Sequence, residues 1–374
     1  MTQWQTLPLG KRTVNLDRHR VPITRKDRQP GPYRYYGASG VVDFVDGFIF
    51  HGLHLLVAED GENLRSRKTP IAFLADGKFW VNNHAHVLQA NETNDLRFLA
   101  YAVEHSDVSG LITGSTQPKL SQAALNEIPI TAPDVNEQRA IAATLGTLDD
   151  KIASNQHIVN VCSLLLDSLA EMAEEVLPKV QLGSLATLNR KTANPVALTN
   201  QVVDYYSLPV FDECGVPERI SPTKIMSSKL VIGKTSILIS RLNPRIERFW
   251  WVSPSYAIPS LTSTEFAAMS AASDLLLAGV WLAVRSQIFR SVLPMRVTGT
   301  SGSHQRVRPD DMLAIEVPDT QKLSSEQMST ALSLLRCIEN SRREIVRLQE
   351  ARETLLPELL SGRLRVAIAA EVTA

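Results

Sequence analysis

Three short stretches hold residue types that could do chemistry. Val231-Ile232-Gly233-Lys234-Thr235 resembles the tail of a phosphate-binding loop, in which backbone N–H groups and a lysine cradle phosphates. The first glycine of such a loop falls on Ser228, so the cradle is incomplete and ATP is not expected there. His84-Ala85-His86 offers two imidazoles, good metal ligands, but no cysteine or acidic cluster adjoins them in sequence. They read as strand histidines or as part of a loop facing nucleic acid. A methyltransferase that grips a flipped-out base needs Asn/Asp-Pro-Pro-aromatic, and the chain has only Asn194-Pro195-Val196 and Asn243-Pro244-Arg245. Cys162, Cys214 and Cys337 are scattered and odd in number, which argues for reduced thiols rather than disulfides or zinc. The chain therefore reads as non-catalytic, with no cofactor and no metal of its own.

The elements around these stretches are written twice. Leu7-Pro8-Leu9-Gly10 is echoed by Val180-Gln181-Leu182-Gly183. A polar stretch from Gly114 to Pro133 has a counterpart from Gly299 to Pro318, and Glu137-Gln138 and Glu326-Gln327 follow the two. The shared order (variable region, Gly-led polar loop, short strand, proline, helix) is that of a duplication. Short β-type runs such as 41–45 and 236–240, with helix near 96–104 and 273–290, make each variable region a compact mixed domain.

Two long helices are expected after Pro133 and Pro318. Asp134 with Glu137, and Ser324 with Gln327, have capping-box spacing. The first seam reads Ile141, Leu145, Leu148, Ile152, Asn155, Val159, Cys162, Leu166, Leu169, Ala173, Val176, a coiled-coil period. The second reads Leu334, Ile338, Ser341, Ile345, Leu348, Arg352, Leu355, Leu359, interrupted by Ser341 and Arg352. Pro178 closes the first helix and Gly362 caps the second. An apolar seam of such length needs a partner, and an antiparallel pairing of the two helices supplies it. Asn155 either fixes the register or is a tolerated polar residue at the crossing. The fold class is α+β: two mixed domains in tandem, 1–133 and 179–322, with spacer helices at 134–178 and 323–374.

Charge separates along the chain although the net is zero. Residues 134–178 hold 2 Lys and Arg against 8 Asp and Glu, whereas residues 179–322 hold 16 against 11. A polyanion would favour the latter and avoid the former, so charge permits a nucleic-acid partner without demanding one. No apolar run reaches the length of a membrane span and no signal peptide opens the chain, so a cytoplasmic location is expected.

This order of parts resembles the specificity subunit of type I restriction–modification systems. The resemblance is carried by Ile128 to Ile152 (IPITAPDVNEQRAIAATLGTLDDKI) and Leu355 to Val366 (LLPELLSGRLRV). Tyr33 to Val42, Phe79 to Leu88 and Ser240 to Ile246 are similar to pieces of the family's recognition domains. The resemblance implies a subunit whose two recognition domains each read half of a split DNA site. It implies helices that set the gap and dock two methyltransferase subunits, which methylate adenine N6 with S-adenosylmethionine. Adding two nuclease subunits gives an ATP-using restriction complex. S-adenosylmethionine and ATP thus belong to partner subunits.

On that reading, side chains that reach bases or phosphates are sought in the Gly-led loops. These are Ser115, Thr116, Gln117 and Lys119 in the first half, and Ser301, Ser303, His304, Gln305 and Arg306 in the second. Arg34, Tyr35, Tyr36 and Ser39, with Arg241, Asn243 and Arg245, come next. The basic run Arg12, Arg18, Arg20, Arg25, Lys26 and Arg28 is either a phosphate contact or a solvated face. Two rivals make different expectations. A self-contained DNA-modifying enzyme would act alone with S-adenosylmethionine or ATP, and a coiled-coil scaffold would bind no DNA selectively.

Overall fold

The protein is described by a computed structural model over residues 4–198, 202–255, 257–298 and 305–366. It divides into two compact units, Met1–Asp149 with Glu350–Ala374, and Asp150–Gln349. The divisions fall within the two long helices, because each unit takes in the helical turns that pack on its own core.

The first unit carries strands β1 (Gln5–Pro8), β2 (Thr13–Asn15), β3 (Pro30–Gly37), β4 (Gly40–Val45) and β5 (Phe50–His51). After them come β6 (His54–Ala58), β7 (Ala72–Ala75), β8 (Lys78–Val81), β9 (Ala85–Ala90) and β10 (Pro129–Ala132). Its short helices are α1 (Asn63–Ser66), α2 (Leu96–His105) and α3 (Gln122–Asn126), and α4 (Val135–Val176) begins here. One sheet has the order β2-β9-β6-β7, all antiparallel. The other has the order β4-β3-β8-β5, with β3 and β8 parallel, and β1 pairs with β10.

β6 explains the layering. Its residues are apolar at nearly every position because both faces are covered. Leu55 and Val57 face one core with Phe98 and Leu99 of α2 and Ile141 and Leu145 of α4, while Leu56 faces a second with Phe79 and Val81. The period of two along a strand thus feeds two cores from one segment.

The second unit repeats this plan. Its strands are β11 (Lys179–Gln181), β12 (Thr187–Leu188), β13 (Thr192–Ala193), β14 (Val203–Tyr206), β15 (Glu218–Ile220) and β16 (Lys229–Val231). They continue with β17 (Ser236–Ser240), β18 (Phe249–Val252), β19 (Ser260–Thr262), β20 (Phe266–Ser270), β21 (Val297–Thr298), β22 (Arg306–Val307) and β23 (Glu316–Pro318). Helices α5 (Leu182–Leu185), α6 (Leu208–Glu213), α7 (Asp274–Arg285), α8 (Gln287–Val292) and α9 (Pro309–Leu313) precede α10 (Ser325–Leu360). The sheets run β12-β20-β17-β18 and β13-β16-β19-β14-β15, with β14 and β19 parallel, and β11 pairs with β23. The two main sheets are those of the first unit with one added edge strand, β13, and the second unit also carries the two-stranded pair β21-β22. β17 also serves two cores, Ile237 and Ile239 on one face and Leu238 on the other.

The expected strands at 41–45 and 236–240 are β4 and β17. The expected helix at 273–290 is broken into α7 and α8 because Ser286 ends one and caps the next, its hydroxyl accepting from the Phe289 N–H. Among the described residues no single helix is long and apolar enough to cross a membrane.

Within each unit the α4 and α10 segments meet in opposite chain directions. In the first unit Arg352 donates to Asp149 at 2.9 Å and Arg365 pairs with Glu137 at 2.6 Å. In the second, Glu344 accepts from Asn155 at 2.9 Å and Cys162 lies beside Cys337. Asn155 is buried and its amide bonds across to α10, which favours the register role. Arg352 interrupts the apolar seam because it answers Asp149, whose other oxygen accepts from Tyr101 at 2.6 Å. At the start of α4, Asp134 accepts from the Asn136 and Glu137 N–H groups and the Glu137 carboxylate pairs with Arg365. Val176 is 71% exposed, because the helix has run past its partner there. The box at Ser324 and Gln327 forms in both directions.

Candidate nucleic-acid interface

The Gly-led loop of the first unit closes on itself. Thr113 and Lys119 exchange N–H···O bonds of 2.9 and 2.8 Å. Gly114 turns the chain at φ +83°, and a Cβ there would collide with the Gln117 carbonyl oxygen. Arg65 clasps the loop from outside, donating to the carbonyls of Gly114 at 2.6 Å and Ser115 at 3.0 Å. Ser115, Thr116 and Gln117 are left exposed at the tip.

The loop docks on the exit of β6. Leu120 N–H donates to the Glu59 carbonyl at 2.8 Å, Gly61 N–H donates to the Pro118 carbonyl at 3.0 Å, and Asp60 bridges Lys119. The second unit has the same three links at the exit of β17. Val307 N–H donates to the Arg241 carbonyl at 3.0 Å, Asn243 N–H donates to the Gln305 carbonyl at 3.0 Å, and Leu242 bridges Arg306. Arg241, Asn243, Arg245, Gln305 and Arg306 are thereby gathered at one corner, equivalent to the corner that holds Ser115 to Lys119. Ser301, Ser303 and His304 lie outside the described residues.

Charges at the two corners are arranged differently. Under the first loop, Glu59 pairs with Arg20 at 2.7 Å and Lys119 at 3.2 Å. Asp17 accepts from buried His86 at 2.5 Å and from the Val87 N–H at 2.8 Å, while the other His86 nitrogen meets the Leu120 carbonyl at 2.8 Å. Burial pushes both carboxyls up, but His86, Arg20 and Lys119 outweigh it, and Asp17 and Glu59 end below the usual carboxylate range. Asp17, Glu59 and His86 are close enough to share a metal ion. Arg20 already sits against both carboxylates, at 2.7 Å from Glu59 and 3.4 Å from Asp17, so the donor set is neutralised and does not suit a cation. This cluster, assembled from three distant segments, was invisible in the sequence. His84 binds Asp60 at 2.8 Å.

At the second corner Arg306 forms a two-pronged pair with Glu265, with both N···O distances 2.9 Å. Arg241 donates to the Thr264 and Val307 carbonyls. Asn243 takes the left-handed conformation at φ 46°, which asparagine tolerates. Arg245 stands exposed beyond it.

Several expected contacts are corrected. Tyr35 is 0% exposed, its hydroxyl bonded to the Ile23 backbone, and Tyr36 is 5% exposed, packed on Phe73 and Phe79. Neither ring can reach a base. Arg34 and Ser39 are exposed on the β3–β4 hairpin, on the other sheet from β6 and the loop it holds. Of the basic run, Arg12 is buried against the Ile130 and Gln5 carbonyls and Asn94, Arg20 is in the cluster above, and Arg28 stacks over Tyr35 and pairs with Asp43. The phosphate-loop-like stretch joins β16 to β17 with no helix N-terminus behind it, and Lys234 donates to the Ala271 carbonyl.

Comparison with known proteins agrees with this architecture. Residues 4–161 match the family described as the type I restriction modification DNA specificity domain. A curated Haemophilus influenzae protein described as a type I restriction enzyme specificity subunit is 34% identical over 146 residues. That match spans 39% of this chain and 37% of the relative's own length. The crystal structure of a type I restriction–modification S subunit from M. genitalium shares the fold, with a TM-score of 0.69 at 16% identity, covering 96% of both chains. By sequence, the likeness to that family is carried by residues 4–161.

Proposed function

We propose that this chain is the DNA-reading subunit of a type I restriction–modification complex and does no chemistry itself. Each unit reads one half of a split, asymmetric site. α4 and α10, as an antiparallel coiled coil, set the gap between the halves and dock two methyltransferase subunits. Those partners bind S-adenosylmethionine and methylate adenine N6, two nuclease subunits add ATP-dependent restriction, and the complex works in the cytoplasm. The domain limits 1–133, 134–178, 179–322 and 323–374 serve this reading as functional segments.

The observation that carries the proposal is the repeated corner. In each of two units of similar topology the residues that follow the Gly-led stretch meet the same strand exit through the same three backbone links, as two readers of a duplex would. The exposed apolar side chains Val161, Leu164, Leu165, Met172 and Val176 on α4 suit a protein partner. An acidic helix between two more basic domains suits DNA held at the loops rather than along the helix.

Methylation mapping tests it. Cells expressing the chain with its methyltransferase partner should carry methyladenine in a bipartite motif. Exchange of residues 11–130 for the equivalent segment of a relative should rewrite one half of that motif and spare the other. An unchanged motif after the exchange would refute the assignment.

A further inference from the structure

We propose that the second unit binds a small organic anion, one negative charge on a flat apolar body, at a cleft centred on Arg342. The inference is independent of the DNA reading. The cleft, about 210 Å³, opens among α4, α7, β18, α10 and the segment after α6. That is far more than the roughly 10–15 Å³ one water needs. Its walls are aromatic: Phe211, Phe249, Trp250, Trp251 and Trp281.

Most of the charges around it are paired, while Arg342 shares the adjoining hollow with Glu213. Arg285 takes Asp167 at 2.6 Å and Glu247 at 3.4 Å, and Arg290 also takes Glu247. Arg248 takes Asp212 at 2.7 Å and Arg343 takes Glu339 at 2.8 Å. Arg342 has no acceptor among the described residues. The segments of this unit outside them, 199–201, 256 and 299–304, contain no Asp or Glu to supply one. Burial pushes the Arg342 guanidinium below the usual arginine range. Arg342 is part-buried and forms no ion pair among the described residues, so an anion entering the cleft would supply one.

Two further features suit a ligand there. Gly215, at φ +63°, lies where a Cβ would stand 3.0 Å from Arg342 Nη1, so the glycine leaves the guanidinium its place. The indole N–H groups of Trp251 and Trp281, in side chains 5% and 8% exposed, are buried without an acceptor. A cation in a cleft lined by aromatic side chains suits a carboxylate or phosphate on a planar group. That anion is either a free small molecule or an acidic side chain beside an aromatic one on a partner protein.

The test uses the full chain and its own tryptophan fluorescence. Benzoate should give a saturable change in the millimolar range and raise the melting temperature, whereas uncharged benzamide should do neither. R342Q should weaken benzoate about tenfold or more, and R342K should retain most of the binding. Titration with the capped dipeptide acetyl-Phe-Glu-amide separates the sources: saturation below the benzoate range points to a protein side chain, and saturation only above it to a free molecule. Equal titrations in wild type and R342Q, or equal responses to benzoate and benzamide, overturn the site. Should R342Q not fold, the benzoate–benzamide contrast in wild-type melting decides alone.

Discussion

The two loop corners share a backbone and differ in what lies beneath it. At the first, the loop rests on a mostly buried polar set, Asp17, His86, Arg20 and Glu59, with Lys119 reaching in from the loop itself. At the second, Arg241 occupies the position of Glu59, and Arg306, at the position of Lys119, is held by Glu265 at the entrance of β20. The first corner is thus fixed from below by mostly buried groups, and the second by a more exposed pair. The two corners keep one hydrogen-bond frame while their side chains differ, as the proposed reading of two different half-sites would require.

The largest expected effect tests this contrast. Asp17→Ala leaves buried His86 and the Val87 N–H without their carboxylate, while Arg20 keeps Glu59, and should cost about 3 kcal/mol, the loss of hydrogen bonds to a charged group. Glu265→Ala frees an exposed arginine and should leave stability unchanged within error. Hydrogen exchange, read separately at β9 and β20, distinguishes the units, and equal losses would remove the distinction. Acid should act on the same network. Asp17 and Glu59 titrate below their unfolded values, so their contribution is fully present above the unfolded pKa. It is lost as pH falls through the folded one, and first-unit stability should decline from about pH 4 downward.

The next effect concerns reading. Gln117 stands exposed at the tip of a loop that Gly114 and Arg65 hold in shape. If it contacts a base, Gln117→Ala should weaken the cognate half-site by about 1–3 kcal/mol and relax specificity at one position only. Competition binding against each single-base variant of the site measures both. Uniform weakening across all variants would place Gln117 on the backbone instead.

What the sequence disclosed and what it hid follow from the range of the interactions. The helices, their seams and β17 rest on local period and capping, so they could be read directly. The tandem plan could be read because the Gly-led loops and prolines recur in order. The site was legible only as loops. Tyr35 and Tyr36 looked like contacts, but a strand's inward face cannot be told from its outward face until its sheet partners are known. The Asp17–His86–Glu59 cluster draws on three segments up to 69 residues apart, beyond the reach of any spacing rule. Arg352 looked like a flaw in the seam until Asp149 was found opposite it.

The smallest effect separates a tethered cation from an open one. Lys119 has its ammonium 3.2 Å from Glu59, so DNA must compete with that carboxylate for it. Arg245, exposed and without a recorded acceptor among the described residues, has no such competitor. A phosphate contact releases a counterion, so each full contact adds about 0.9 to the slope of log binding constant against log salt. Arg245→Ala should therefore flatten that slope by about 1 and weaken all DNA sequences alike. Lys119→Ala should flatten it by less, because its charge is already partly neutralised, and Glu59→Gln should restore the full increment by freeing the lysine. If Lys119→Ala and Arg245→Ala flatten the slope equally, the acidic floor of the first corner does not restrain its loop, and the two corners are electrostatically alike.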